Sequence, residues 1–237
     1  MQGVLEEAIC LLSGAPSRVH GAGRTDAGVH ALGQIAHFET GWGIPADRLV
    51  IALNGALPDD LVVRRADVAA PGFHARFSAT SRTYRYVILN RRIPSALLGR
   101  FAHHVREPLD IDGIRAAAVE LTGSRDFATF GRPTAPGKST VRFVERIDVR
   151  RWKDCVLITV RGNAFLRQQV RGFVGTLQLV GQGKLAPREV AAIRDSRDRT
   201  ICPAIAPAKG LCLVRVDYSG RRLTTKTTGL RPGMTEV

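Results

Sequence analysis

Acidic side chains are scarce in this sequence. Across 237 residues, 21 Asp and Glu stand against 35 Lys and Arg, a net charge of +14. Lysine is scarcer still: only 5 of the 35 basic residues are Lys and 30 are Arg. No run of about eighteen apolar residues occurs, which excludes a membrane-spanning helix of the usual length. The N-terminus lacks a basic stretch leading into an apolar one, so no signal peptide is read. The four cysteines, Cys10, Cys155, Cys202 and Cys212, form no Cys-x-x-Cys pair, which excludes a zinc ribbon and a disulfide framework. These absences lead to the expectation of a soluble, cytoplasmic chain. With 44% hydrophobic residues, the chain can bury real cores, and disorder is excluded as a class.

The surplus of positive charge implies a polyanionic partner. A GC-rich genome would favour Arg over Lys, yet it explains neither the surplus nor its clustering. From 68 to 106 there is no acid, while Arg76, Arg82, Arg85, Arg91, Arg92, Arg100 and Arg106 fall there. From 155 to 188 the pattern repeats with Arg161, Arg167, Arg171, Lys184 and Arg188. Two acid-free tracts suggest two walls of one nucleic-acid groove. These residues lie in strand-like or apolar-periodic segments, which argues against a membrane-surface helix.

Apolar spacing gives a first helix through Val4, Leu5, Ala8, Ile9 and Leu12, stopped by Gly14. Strands are expected at 18–23 and 34–40, a helix from Pro45 to about Leu53, and strands at 61–69 and 81–89. After a short strand at 101–106, a helix runs from an Asp110 cap to Gly123. Strands at 141–152 and 155–161, helices at 165–180 and 187–194, and a strand at 211–218 complete the order. The fold class is α+β: two ferredoxin-like, split βαβ halves, 1–94 and 95–218, share one mostly antiparallel sheet with helices on one face. A basic tail, 219–237, is expected to be disordered. The first half matches the second with its leading strand removed, so the expectation is a chain shortened at its N-terminus.

The segment richest in chemistry is Val19 to Thr40. It sets the carboxylate of Asp26 among Gly21, Gly23 and Gly28, with Arg24 two residues before. The loop fits neither a dinucleotide fingerprint nor a phosphate-binding P-loop. By itself an Asp among glycines is most often a turn cap. His30, His37 and His74 have no acidic or cysteine partner at ligand spacing, which favours hydrogen-bonding roles over metal binding. In Arg82-Thr-Tyr-Arg-Tyr86 the tyrosines and arginines are expected on opposite strand faces.

GAGRTDAGVHALGQ, Gly21 to Gln34, resembles the catalytic motif of the tRNA pseudouridine synthase A family. FHARFSATSRTYRY, from Phe73, resembles its second motif, NAFLRQQVRGFVG, from Asn163, its third, and KGLCLVRVDY, from Lys209, its closing strand. The likeness runs in order over residues 2 to 218. Gln169 departs from it, standing where the third motif usually has Met. At the start, only Gln2-Gly3-Val4-Leu5 remains of a longer opening that carries Tyr-Asp-Gly and Gly-Trp-Gln signatures.

The resemblance implies conversion of tRNA uridines on the 3′ side of the anticodon stem-loop to pseudouridine, by a homodimer that needs neither metal nor other cofactor. It implies Asp26 as the nucleophile, attacking C1′ of the ribose or C6 of the uracil. Arg171 would orient Asp26, Tyr84 would stack under the flipped base, and Arg24 would help expel that base from the stem. His30, Arg76, Arg82 and Arg167 are expected to bind substrate. The rival readings are a shortened, inactive RNA-binding protein of the same fold, and a glycosidase. The latter normally needs a second carboxylate, and none accompanies Asp26 in the motif.

Overall fold

The computed structural model describes residues 1–133, 135 and 137–219. The tail from 220 lies outside the described residues. The chain opens on helix α1 (Gln2–Ser13), as its apolar spacing predicts, and α1 packs on α2 (Ala46–Ala56). Ala8, Ile9, Val19 and Leu53 form the small core between them. Between the helices lie three two-residue strands: β1 (His20–Gly21), β2 (His30–Ala31) and β3 (Ala36–His37).

The main sheet has seven strands. β4 (Ala79–Asn90) is flanked by β8 (Cys155–Gly162) and β9 (Leu211–Tyr218), and it also pairs with β5 (His103–Val105). Beyond β8 come β7 (Val141–Trp152) and β6 (Gly123–Asp126), and beyond β9 comes β2. Pairing is antiparallel except for β2 on β9 and β5 on β4. Helices α3 (Ile111–Val119) and α4 (Gln169–Gly181) cover the sheet, and α5 (Glu189–Asp195) follows α4. The architecture is therefore α+β with a mostly antiparallel sheet, as the element order implies. Tyr86, Ile88, Phe127, Phe130, Ile158, Phe173, Leu177 and Leu213 are among the residues of one continuous core.

The long strands and the helices match their sequence periodicity, and the short connections do not. Residues 61–69 alternate like a strand yet form none, and Val62 and Val68 are 64% and 94% exposed. Alternation supplies a face but not a partner, and a strand exists only where a neighbour takes its N–H and C=O groups. The strand expected at 18–23 shrinks to His20–Gly21 because its backbone bonds go elsewhere. The Val19 N–H donates to the Glu6 side chain, at Oε1, at 2.9 Å rather than to a neighbouring strand. Strand β6, Gly-Ser-Arg-Asp, has no apolar alternation to announce it; the edge of β7 creates it. Helix α4 begins at Gln169 rather than 165, because the Arg167 backbone is bound to Arg132 and Gln168 takes φ +66°.

A stack of three histidines ties the β1–β3 ribbon to the turn before β4. His20 and His37 are cross-strand partners with ring centroids 5.1 Å apart, and His74 lies 4.5 Å from His37 and 5.4 Å from His20. His37 Nδ1 accepts from the Ala75 N–H at 3.1 Å, and His74 Nδ1 accepts from the Arg76 N–H at 3.1 Å. Desolvation, with His37, His20 and Arg76 nearby, lowers the His74 pKa below its ordinary value.

Two outcomes test this description. Because the folded-state pKa of His74 is depressed, the stack contributes stability above about pH 6.5 that is lost as pH falls through the folded value. The melting temperature should therefore fall between pH 7 and pH 5, and His74→Gln should blunt the fall. The second test is steric. A Cβ on Gly175 in α4 would sit 2.4 Å from the Ala204 carbonyl oxygen, whereas one on Gly55 in α2 would meet nothing within 4 Å. Denaturant unfolding should show Gly175→Ala costing about 2–3 kcal/mol and Gly55→Ala gaining about 0.5 kcal/mol.

Candidate active site

The Asp26 loop is closed at its neck and held at its tip. The Ala22 N–H donates to the Ile35 carbonyl at 2.7 Å, and the Gln34 amide bonds Gly23 in both directions, accepting at 3.2 Å and donating at 2.7 Å. The Leu32 and Gly33 N–H groups both donate to the Leu213 carbonyl of β9. At the tip, Asp26 Oδ2 accepts from Arg171 Nη1 at 2.9 Å, with side chains only 28% and 17% exposed. Partial burial strengthens such a charge-assisted bond, because water screens it less.

Arg171 is fixed from two sides. It sits in the first turn of α4, and its Nε donates to the Ala206 carbonyl at 2.7 Å while its own carbonyl accepts from the Ala206 N–H at 3.0 Å. The next residue, Pro207, accepts from the Tyr86 hydroxyl at 2.8 Å. Segment 204–207 thus links α4 to β4 behind the ion pair. Its role carries no signal in the sequence, because it acts through backbone carbonyls that any residue supplies.

Tyr84 stands beside this pair. It is 7% exposed, packs edge-on against Phe165 at 5.3 Å, and its hydroxyl makes no hydrogen bond among the described residues. Burial pushes its pKa up to about 12, opposed by Arg82 and reinforced by the Asp26 charge, so the phenol is neutral at physiological pH. A Cβ on Gly23 would lie 3.1 Å from the Tyr84 oxygen. Glycine there lets the Asp26 loop approach the ring.

The other expected residues divide. Arg24 and Arg167 are exposed, with side chains that make no hydrogen bond or ion pair among the described residues. Arg76 lies over the Phe77 ring at 5.9 Å. His30 is engaged elsewhere: its Nε2 contacts the Arg100 carbonyl at 2.8 Å and its ring lies 5.0 Å from Phe101.

Arg82 is put to a different use from the one expected. It is 7% exposed and donates to the carbonyls of Ala22 at 3.0 Å, Ala79 at 3.2 Å and Asn163 at 2.7 Å, and also to that of Arg76. It clamps the base of the Asp26 loop to β4 and to the loop after β8. Arg82, Tyr84 and Tyr86 share strand parity and are all buried, and of these arginines only Arg85 points to the opposite, exposed face.

The two acid-free tracts are not acid-free in space. Arg91 meets Asp154 at 3.2 Å, Arg161 meets Glu145 at 2.7 Å and Asp217 at 3.4 Å, and Arg171 meets Asp26. The picture of two cationic walls is corrected accordingly, because folding brings carboxylates from distant sequence to these arginines. Among the described residues, no group of three or more His, Cys, Asp or Glu could hold a metal ion, and no helix is long and apolar enough to cross a membrane.

Gln169, the departure in the third motif, is fully buried. Its Oε1 accepts from the Leu166 N–H at 2.8 Å, which organises the entry to α4, while its Nε2 has no partner.

Comparison with known proteins agrees with this geometry. A family model described as tRNA pseudouridine synthase matches residues 117–219. The chain is 46% identical over 219 residues to the tRNA pseudouridine synthase A of Methylobacterium sp. (strain 4-46), covering 92% of this chain and 88% of that protein. It is 42% identical over 230 residues to that of Paramagnetospirillum magneticum, covering 97% and 90%. For that of Thermoanaerobacter sp. (strain X514), the figures are 41% over 218 residues, covering 92% and 89%. With such identity along nearly the whole chain, and with a carboxylate seated against an arginine beside a buried tyrosine, this protein belongs to the tRNA pseudouridine synthase A family.

Proposed function

We propose that the protein converts uridines of the tRNA anticodon stem-loop to pseudouridine, with Asp26 as nucleophile. The observation that supports this most is the Asp26–Arg171 pair at 2.9 Å next to Tyr84. In the reaction, the N1–C1′ bond of uridine breaks, the base turns, C5 joins C1′, and the proton leaving C5 balances the one gained at N1. Substrate and product are isomers, so no oxidant or group donor is consumed.

Each residue has a task that follows from its surroundings. Arg171 holds and aims Asp26, since its bond to the Ala206 carbonyl braces the guanidinium. A carboxylate attacks C1′ or C6 only in its charged form. Tyr84 offers a ring against which a flipped uracil can stack, and its neutral hydroxyl adds no charge to repel the developing anion. Arg24, exposed two residues before Asp26, can enter the stem as the base leaves it. Arg76 and Arg167 supply phosphate contacts beside the site. The enzyme acts in the cytoplasm as a homodimer in this reading.

Tritium at C5 of uracil in unmodified tRNA should be released as water by the wild-type protein, and the absence of release above an enzyme-free control would overturn the proposal. Asp26→Asn should retain tRNA affinity, because removing a negative charge cannot weaken phosphate contacts, while losing tritium release altogether. Arg171→Ala should lose release and also about 1–3 kcal/mol of stability, as Asp26 is left partly buried without a counter-charge. Denaturant titration beside the release assay separates the two effects.

A further inference from the structure

Positive charge that the Asp26 site does not use gathers at another end of the sheet. β4 and β5 run parallel with Asn90 abreast of Val105, so both leave the sheet at one edge, Arg91 and Arg92 following the first strand and Arg106 the second. The β7–β8 hairpin turns at the same edge: Leu89 pairs with Cys155, which pairs with Trp152, next to Arg151. A shallow, solvent-open pocket of about 560 Å³ lies there, with Arg91, Arg92, Arg106 and Arg151 along it. Asn90 lies six positions beyond Tyr84 along β4, about 20 Å of strand.

The floor of this pocket is built. Asn90, 8% exposed, donates through Nδ2 to the carbonyls of Val105 at 3.1 Å and Glu107 at 2.7 Å, and its Oδ1 accepts from Arg151 Nη2 at 2.9 Å. Arg91 is braced by the Ile93 carbonyl at 2.7 Å and by Asp154. Arg92 and Arg106 make no hydrogen bond or ion pair among the described residues. Four guanidinium groups against the carboxylates of Glu107 and Asp154 leave two positive charges uncompensated. No aromatic side chain lines the pocket, so nothing there stacks on a base, while planar forks suit phosphate oxygens.

We propose that this pocket is a second RNA site, which grips the sugar–phosphate backbone of the tRNA about 20 Å along β4 from the uridine being converted and reads no base. The inference rests on the reading of the substrate as tRNA. It goes beyond that reading in assigning Arg92 and Arg106 to a part of the molecule outside the anticodon stem-loop.

The test uses filter binding of unmodified tRNA and of an isolated anticodon stem-loop, over a range of salt, with Arg92→Ala, Arg106→Ala and the double variant. Each substitution should weaken full-length tRNA roughly three- to tenfold and make the slope of log K against log salt shallower by about 0.7–0.9. Stem-loop affinity and the rate of tritium release at saturating tRNA should stay unchanged. Melting temperature is the folding control, since both side chains are exposed. The proposal is overturned if the double variant binds tRNA within about twofold of wild type, or if stem-loop and tRNA lose affinity equally. A wild-type protein that releases no tritium would refute the catalytic reading instead, and the binding comparison would still decide this one.

Discussion

The half-buried Asp26 carboxylate is held by one guanidinium, and that guanidinium comes from 145 residues away. The Asp26–Arg171 bond joins a loop of the N-terminal part to the first turn of α4, and much of the surrounding structure keeps its two ends in register. Leu213 of β9 holds the loop, Ala206 holds the arginine, and Pro207 ties the latter's support to Tyr86 at the core. Since β4 lies between β8 and β9, the strand carrying Tyr84 is the rigid element to which both sides are referred.

Arginine serves three distinct physical purposes in this chain. Arg82 is a buried structural cation, satisfied by backbone carbonyl dipoles rather than by an anion. Arg171 is a positioning cation with one carboxylate partner. Arg24, Arg92, Arg106 and Arg167 are exposed and unpaired among the described residues, which leaves their forks free for phosphate. The difference between these uses is burial and the number of acceptors within reach, not residue type, and it explains why a count of basic residues exaggerates the surface available to RNA.

Much of the fold is legible in the sequence. The strands at 141–152 and 211–218 match the expected ranges, because each long strand has both a periodic pattern and a neighbour on at least one side. The segment 61–69 has the pattern without the neighbour and is no strand; β6 has the neighbour without the pattern and is one. Asp26, Tyr84 and Arg171 are legible through their motifs. Arg82 shares strand parity with Tyr84 and Tyr86 and so lies in the interior, which the alternating pattern of residue types hides.

The long strands, the helices, the family resemblance and Asp26 as the candidate carboxylate are legible in the sequence alone, because all of them reside in local pattern and residue type. Which arginines are occupied by partners is visible in three dimensions alone, since pairing depends on distance through space. Glu145, Asp154 and Asp217 neutralise arginines of tracts that contain no acid, and four carbonyls consume Arg82. The convergence of Arg91, Arg92, Arg106 and Arg151 on one pocket follows from the parallel pairing of β4 with β5, a register that no local run of residues encodes.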